Sequence, residues 1–326
     1  MLSTNTIKSG VRKKEEYYTS DESLETESKP EQTEYYSKQE TQSEKRKLTQ
    51  AVWYGQGALN LGLEGNVKKE DFKELFYGFK PGSSERIRGE KPNPEDQERL
   101  AFDFTFSAPK SVSMALHLEN DLRLFDAHME AVREVLQEVE QRYATTRIQS
   151  NGERQVVNTG NLIVALIPHH TSRDGDMQTH THAVIMNGTQ GPDGVWRALH
   201  NDAMSLQGWL GNLYRQKLAQ KLQSYGYKIY ETKDGFELEG LTKEDIQVFS
   251  KRSRSIVKHL EKEGLEISPE NRDKATLTTR RAKHITQTLE DFQQGWKAEA
   301  VAMQVTVPLP GKLLWSFWEI SQLMKS

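Results

Sequence analysis

Two apolar runs joined by a short polar loop constrain the fold of this chain more than any other feature. The first run, GNLIVALIP, ends next to His169, and the second, HAVIMN, follows a loop that contains the turn dipeptide Asp-Gly. Apolar runs of this length, rich in β-branched residues, are typical of buried strands. The two runs therefore predict an antiparallel β-hairpin with a loop longer than the minimal one.

This hairpin brings three histidines together. His180 and His182 share one face of the second strand, because side chains alternate along a strand. Antiparallel pairing puts the end of the first strand beside the start of the second, so His169 joins them. His170, one position further, is expected to point away and not to be a ligand. Three converging imidazoles predict a site for one divalent metal ion, although polar side chains on a solvated sheet face would explain them too.

A further strand is predicted over LAFDFTF, residues 100–106, by strict alternation of side chains. The aromatic side chains share one face, so Asp103 lies in mid-strand on the other face, where a carboxylate is disfavoured and usually needs a partner. A metal-bound histidine would be such a partner, because a carboxylate that accepts its second N–H fixes the orientation of the ring. The alternative is a solvent-facing Asp on an edge strand.

The segment SAPKS follows this strand and predicts the start of a helix, with Ser107 as the N-cap and Pro109 in the first turn. Backbone N–H groups at the N-terminus of a helix bind anions. Together with Lys110 they would hold a phosphate group.

A basic segment lies in the C-terminal half, although the whole chain carries a net charge of −3. Residues 251–284 contain ten Lys or Arg against five Asp or Glu. Such a run alone is usually a solvated helix face, but together with a phosphate-directed site it favours contacts with a nucleic-acid backbone. The candidate contacts are Lys251, Arg252, Arg254, Arg280 and Arg281.

Two tyrosine pairs, Tyr17-Tyr18 and Tyr35-Tyr36, stand in an N-terminal region that is otherwise made of Glu, Ser, Thr and Lys. Taken alone, they would be packing anchors. Beside a metal site, a phenol is an adequate nucleophile for a phosphodiester, provided that its proton can leave. The second member of each pair is expected to point elsewhere and to tolerate replacement by Phe.

The remaining sequence mixes helices and hairpins. Helices are predicted at 121–143 and 203–226, and hairpins at 145–159 and 227–240. This mixture predicts an α+β fold, in which an antiparallel sheet has flanking helices and carries the site on its open face. His128, in the first of these helices, is expected at the edge of the core rather than as a ligand.

The composition excludes several other classes of protein. The chain contains no cysteine, so neither disulfides nor a thiolate metal site are available. The N-terminus lacks an apolar core of the signal-peptide type, and no apolar run approaches the 18 residues of a membrane span. The sequence therefore predicts a cytoplasmic protein without membrane insertion.

Three motifs in order carry a resemblance to a known family. The tandem tyrosines, FDFTFSAPKSVS, and His169 placed eleven residues before HTHAVIMN resemble the relaxase domain of the MobF conjugative relaxases, members of the HUH superfamily of single-strand endonucleases. The similarity runs from residue 1 to about residue 283. It implies metal-dependent, site- and strand-specific nicking and strand transfer at a plasmid origin of transfer, through a covalent 5′-phosphotyrosine intermediate.

The resemblance also implies a role for each candidate residue. Tyr17 is similar to the nucleophile, Tyr35 to the second nucleophile, and Asp103 to the carboxylate that orients a histidine or takes the tyrosine proton. The implied ligands of one Mg²⁺, Mn²⁺ or Zn²⁺ ion are His169, His180 and His182.

The resemblance further implies the partners and the domain organisation. The partners are single-stranded or hairpin DNA at an origin of transfer, accessory relaxosome proteins and coupling proteins of type IV secretion. The sheet corresponds to the palm of the family, and the later helices to its fingers. The predicted relaxase domain covers residues 1–290, and residues 291–326 form a tail of unassigned role. Within the domain, the charge and composition of residues 19–47 predict a flexible acidic segment, which is longer and more acidic than is usual in the family.

Two other functions remain compatible with these residues. A rolling-circle replication initiator would use the same histidines and tyrosines, and would differ in the origin that it cuts. A non-catalytic, metal-dependent module for single-stranded DNA would use the tyrosines only for packing.

Overall fold

The chain divides into two compact units. The first unit comprises Met1–Ser107, His128–His169 and His180–Leu218, and the second comprises Ala108–Ala127, His170–Thr179 and Ala219–Ser326. The structure is a computed structural model that describes residues 1–10, 12–19, 23–24, 48–89, 97–150, 152–201, 203–233, 235–279, 287–307 and 309–310.

The described residues form short strands and a series of helices. The strands are β1 (Leu2–Lys8), β2 (Val52–Tyr54), β3 (Arg99–Ser107), β4 (Ala144–Ser150), β5 (Glu153–Asn158), β6 (Val164–Thr171), β7 (Met177–Met186), β8 (Thr189–Gln190), β9 (Trp196–Arg197), β10 (His200–Asn201), β11 (Ile229–Thr232) and β12 (Gly235–Leu238). The helices are α1 (Arg12–Thr19), α2 (Gln56–Leu59), α3 (Lys69–Tyr77), α4 (Lys110–Glu119), α5 (Arg123–Tyr143), a 3-10 turn (Ala203–Leu206), α6 (Gln207–Ser224), α7 (Lys243–Val248), α8 (Lys251–Lys262), α9 (Pro269–Thr278) and α10 (Leu289–Ala302).

A five-stranded sheet forms the centre of the first unit, with the strand order β1-β3-β7-β6-β2. The pairs β1–β3, β3–β7 and β2–β6 are antiparallel. The register of β3 and β7 places Thr105 opposite His182 and Ser107 opposite His180. The α+β prediction is therefore confirmed, and β6 and β7 are the two strands predicted from the apolar runs. Between them the Asp-Gly dipeptide makes the turn, with Gly175 at φ +77°.

One face of this sheet is buried under helices. The predicted alternation in β3 is confirmed by its contacts, because Asp103 meets His182 on one face and Phe106 packs under α6 on the other. Residues of both faces are buried in the middle of the strand. The ring of Phe106 packs against Tyr214 of α6 with ring centroids 5.3 Å apart. His128 of α5 is completely buried rather than at the core edge. Its ring forms a hydrogen bond with Thr181 of β7, on the face of the sheet opposite the three histidines.

The other face carries polar and apolar residues at different positions along the strands. Val184 and Met186 of β7 belong to an apolar cluster that includes Phe72 and Phe76 of α3 and Tyr18 of α1. Since side chains alternate, these two residues continue the row that begins with His180 and His182. The far end of this face is therefore covered by apolar side chains, and the near end carries the histidines.

Other predicted elements of the first unit are found close to their expected positions. The helix predicted at 121–143 is α5, and the hairpin predicted at 145–159 is formed by β4 and β5. The helix predicted at 203–226 begins as a 3-10 turn and continues as α6.

Helices dominate the second unit, which also contains the predicted hairpin β11–β12. Ile256 and Leu260 of α8 pack with Ala275 of α9 in a small apolar cluster. Trp296 of α10 is buried, and its ring lies 5.2 Å from that of His117 of α4. The segment predicted as a tail therefore begins inside a packed helix. Among the described residues, no helix has the length and apolar character needed to cross a membrane.

Candidate metal and nucleophile centre

Three histidines meet at one end of the central sheet, as predicted. His169 comes from the end of β6, and His180 and His182 come from the first half of β7. One ring nitrogen of each lies within 4.8 Å of those of the other two, and the ring centroids are 5.1 to 5.3 Å apart. Three nitrogens at this separation can converge on one ion at metal–nitrogen distances of about 2.1 Å after small rotations of the rings.

The donor set fits a borderline transition metal. Neutral imidazole suits Zn²⁺, Cu²⁺, Ni²⁺ and Fe²⁺ better than Mg²⁺, which prefers oxygen ligands. His169 and His180 are partly exposed, and His182 is buried. Two of the three imidazoles thus border on solvent.

Asp103 holds the buried histidine in place. Both of its carboxylate oxygens lie 3.0 Å from Nδ1 of His182, and the carboxylate is only 3% exposed. A carboxylate in this position accepts a hydrogen bond from the N–H at Nδ1. The lone pair of Nε2 then points into the space between the three imidazoles. The hydroxyl of Thr105 donates to the same carboxylate at 3.1 Å. The geometry is that of a carboxylate that orients a metal ligand.

Tyr17 presents its phenol to the triad from α1. Its hydroxyl lies 3.4 Å from Nε2 of His182. The ring meets those of His182 and His169 edge-on, with centroids 5.9 and 6.4 Å apart. A phenolic oxygen and three imidazole nitrogens therefore face the same small space.

Tyr18 does not point away from the site, and this part of the prediction is wrong. Its hydroxyl donates to Oδ2 of Asp103 at 2.7 Å, and its ring is buried beside Phe76. Consecutive residues of a helix are about 100° apart, so two neighbours can flank one site on different sides. The adjacency of the two tyrosines in the sequence could have predicted this contact, because a helix that places one tyrosine at the sheet also places its neighbour close to it.

The predicted anion site at the start of α4 already holds a carboxylate. Both the N–H and the hydroxyl of Ser111 donate to Oε2 of Glu237, at 2.9 and 2.5 Å. Lys110 donates to the backbone oxygen of Met177 at 2.6 Å. Ser107 is not the N-cap as predicted, because it remains in β3, where its N–H donates to the backbone oxygen of Met1. The N-cap position is taken by Pro109.

The basic residues of α8 have partners within their own unit. Nζ of Lys251 lies 2.7 Å from Oε2 of Glu299. The guanidinium group of Arg252 donates to the backbone oxygens of Thr276 and Thr279 at 2.9 and 3.1 Å. Arg254 is exposed, and one of its nitrogens donates to the backbone oxygen of Val248. Three candidates lie outside the described residues: Tyr35, Arg280 and Arg281.

His170 lies outside the triad, as expected. Its Nδ1 is 3.3 Å from the hydroxyl of Thr179, and its ring packs edge-on against His117 at a centroid distance of 4.9 Å. Burial lowers the pKa of His117 well below its ordinary value, with His170 and Lys297 adding to the effect. These two rings therefore pack as part of the core of the second unit.

The contact between Tyr18 and Asp103 yields a first testable prediction. Tyr18→Phe removes one donor from a buried carboxylate, so we expect the free energy of unfolding to fall by about 1 to 3 kcal/mol. We also expect the affinity for a divalent ion to fall about tenfold, because Asp103 orients a ligand. Urea denaturation and metal titration measure the two effects.

Tyr54→Phe is the matched control for this variant. The hydroxyl of Tyr54 donates to the backbone oxygen of Arg133 in the same unit. Its removal is expected to leave the metal affinity unchanged. A Tyr18→Phe variant that binds metal as tightly as the wild type would contradict the role of Tyr18.

A second prediction concerns the pH dependence of stability. Burial lowers the pKa of Lys110 from 10.5 to about 8, and Asp176 and Glu237 offset the effect only in part. Between these two pH values the unfolded lysine keeps a proton that the folded one has lost, so stability rises with pH. Below this window both forms are protonated, and above it both are neutral. Across this pH window we expect the free energy of unfolding of the wild type to rise by an amount on the order of 1 to 3 kcal/mol relative to that of Lys110→Met.

Urea denaturation at several pH values measures this rise. Lys258→Met removes an exposed lysine of α8 and is expected to keep the wild-type pH profile. Parallel profiles for the wild type and Lys110→Met would show that the buried amine is not the cause.

Most of the chain is similar to proteins of one known family. Residues 11–303 match the family model described as TrwC relaxase. The multifunctional conjugation protein TraI of Escherichia coli is 39% identical over 244 residues, which are 71% of this chain and 13% of that protein. The chain thus spans only a small part of the curated relatives that it matches.

Solved structures agree with this match. The metal-bound structure of the conjugative relaxase TrwC in complex with oriT DNA gives a TM-score of 0.80 at 33% identity, covering 94% of this chain and all of that one. TrwC complexed with a 27-mer DNA comprising the recognition hairpin and the cleavage site gives 0.79 at 32% identity, with the same coverage. Since the family model spans most of the sequence and the shared fold includes the strands that bear the triad, the chain belongs to the TrwC relaxase family.

Proposed function

We propose that this protein nicks one strand of DNA at an origin of transfer and transfers the cut strand by transesterification, for conjugation. The observation that carries the proposal is the position of the Tyr17 hydroxyl, 3.4 Å from a nitrogen of the imidazole triad. Further support comes from the TrwC complexes with oriT DNA and from the name of TraI, a conjugation protein. A module that only binds DNA has no need of a phenol at this point.

Tyr17 is the proposed nucleophile. Its oxygen forms a bond to the phosphorus of the scissile phosphodiester, and the bond from phosphorus to the 3′ oxygen breaks. The phenol loses a proton and the departing 3′ oxygen gains one, so the reaction needs no net proton and no water. The products are a 5′-phosphotyrosine and a free 3′-hydroxyl, and because one ester replaces another, the cut strand can be rejoined without ATP.

His169, His180 and His182 are the proposed ligands of one divalent ion. A bound ion would supply a Lewis acid that withdraws electrons from the non-bridging oxygens and orients the scissile phosphate. The chain itself fixes the ligand geometry. Asp103 is placed to keep the Nε2 atom of His182 deprotonated, and it accepts hydrogen bonds from two hydroxyl groups. Of the two roles implied for this carboxylate, orienting the histidine therefore has the stronger support.

Tyr35 is proposed as a second nucleophile. After the first cut Tyr17 is occupied by the covalent strand, and another phenol would allow a second cleavage before that strand is released. Tyr35→Phe should then leave the first nicking step nearly intact. Tyr17 and Tyr35 are thus proposed to act one after the other.

The proposed DNA contacts are made by the basic segment, and Arg254 is the foremost candidate because its side chain is exposed. Lys251 and Arg252 keep positive charge near the surface, although both have partners in the protein. Arg280 and Arg281 complete the proposed set. Lys110 is not part of it, because its buried amine is bound to a backbone oxygen.

We propose further that the partner is single-stranded or hairpin DNA, and that accessory relaxosome proteins and type IV coupling proteins act with it in the cytoplasm. The nicking domain is proposed to extend through α10, beyond residue 290. Trp296 supports this boundary, because it packs against His117 and donates to the backbone oxygen of Gly175.

The covalent intermediate gives a third prediction. An oligonucleotide with the origin sequence, labelled at its 3′ end, should leave its label on the protein in a denaturing gel, because the 5′ end of the downstream fragment joins the tyrosine. Tyr17→Phe should reduce this adduct below detection, since it removes the hydroxyl that lies 3.4 Å from His182, and the neighbouring Tyr18 hydroxyl is bound to Asp103. Peptide mass spectrometry should place the phosphodiester on Tyr17.

Tyr35→Phe is the control for this experiment and should form the first adduct normally. An adduct mapped to Tyr18 or Tyr35 after the first cut would contradict the assignment of the nucleophile. A wild-type protein that retains the oligonucleotide in a native gel but never forms an adduct would indicate the non-catalytic module instead.

Metal removal gives a fourth prediction. Stripping the wild type with EDTA should abolish adduct formation, and adding back Mn²⁺, Co²⁺ or Zn²⁺ should restore it, because the phosphate then regains its Lewis acid. His180→Ala should remain inactive after the same addition, whereas His259→Ala, a histidine outside the triad, should behave like the wild type. Full adduct formation by stripped protein in EDTA would exclude a metal-dependent mechanism.

A further inference from the structure

A buried hydrogen-bonded chain lies directly behind the metal ligands, on the opposite face of β7. Thr181 stands between His180 and His182, so its side chain points to the other face of the strand. Its hydroxyl lies 2.8 Å from Nε2 of His128 in α5, and Nδ1 of His128 lies 2.6 Å from the hydroxyl of Tyr214 in α6. The two helices thus reach the strand at the residue between two proposed ligands.

The hydrogen atoms of this chain can be assigned in one direction. Thr181 donates its hydroxyl hydrogen to the sulfur of Met129 at 3.3 Å, so its oxygen accepts from Nε2–H of His128. In this arrangement Nδ1 of His128 accepts from the Tyr214 hydroxyl. Burial raises the pKa of Tyr214 well above its ordinary value, which keeps this hydroxyl a donor.

Three polar side chains at this depth are unusual for a core. Thr181, His128 and Tyr214 are all completely buried, and the ring of Tyr214 packs against Phe106, the residue opposite Thr181 in the β3–β7 register. Apolar residues of the same shape would fill this space without any polar group to satisfy. A hydrogen bond adds what apolar packing lacks, which is a defined direction and distance.

We propose that Tyr214, His128 and Thr181 form a positioning chain that fixes the backbone of β7 at residue 181 and so sets the separation of the two ligands on either side of it. This inference rests on the proposed function, because it assigns a task to residues behind the proposed metal triad. Metal–nitrogen distances tolerate errors of only about 0.2 Å, so a small displacement of this strand changes the coordination geometry.

The test uses Co²⁺, whose visible absorption reports its coordination geometry, with the full chain. Thr181→Val keeps the shape of the side chain and removes the hydroxyl, and Tyr214→Phe removes a single oxygen. We expect each variant to bind Co²⁺ about tenfold more weakly, at the low end of the range for groups that support metal ligands, with a changed visible spectrum. The double variant should be no weaker than Thr181→Val, because both changes break one chain.

Thr146→Val is the matched control. Thr146 is buried in the same unit, and its hydroxyl donates to the backbone oxygen of Ala198 at 2.9 Å. This variant should keep the Co²⁺ affinity and spectrum of the wild type, whatever it loses in thermal stability. If Thr181→Val does not fold, Tyr214→Phe is compared with Thr146→Val instead, because it changes the core less.

The outcomes separate this inference from the proposed function. Wild-type affinity and spectrum in both Thr181→Val and Tyr214→Phe would overturn the positioning chain and leave the metal site intact. Fully additive losses in the double variant would also overturn it, because the two hydroxyls would then act separately. A wild type that binds no Co²⁺ would overturn the proposed metal site itself, and the inference with it.

Discussion

The carboxylate of Asp103 is the interaction on which the rest of the site depends. A charge with so little exposure is stable inside a protein only when its oxygens are hydrogen-bonded. Its partners come from three elements: Tyr18 from α1, Thr105 from β3 and His182 from β7. One buried group thus joins the helix that bears the proposed nucleophile to the strand that bears two of the proposed ligands. The chemistry of the site and the packing of the sheet are therefore coupled.

Much of the fold and half of the site were predictable from local patterns. Alternation in LAFDFTF separated the aromatic face of β3 from the face that carries Asp103, and the apolar runs around Asp-Gly located β6 and β7. The triad followed from the period of two along a strand. These predictions succeeded because each depends on residues close together in the sequence or on one hairpin.

The features that escaped prediction depend on partners far away in the sequence. Ser111 meets a carboxylate 126 residues further on, and Tyr18 meets one 85 residues away. The N-terminus of a helix is a candidate anion site in the sequence, but in this fold the carboxylate of Glu237 already occupies it. No pattern near residue 111 predicts that contact. In the same way, no local pattern shows that Lys251 of α8 forms an ion pair with Glu299. Charge counts along a sequence do not separate internal ion pairs from charges left for a ligand.

The hairpin that carries the triad also has a consequence for how the site assembles. His169 and His182 are thirteen positions apart, whereas Tyr17 and His182 are separated by 165 residues. Contacts of short sequence separation form with little loss of chain entropy, and long-range ones form late and open first. We therefore expect the hairpin with the three histidines to form as a local unit and the contact with Tyr17 to form later. Undocking α1, an eight-residue helix, would separate the phenol of Tyr17 from the triad and also remove the hydrogen bond of Tyr18 from Asp103, while the three histidines would stay on their hairpin.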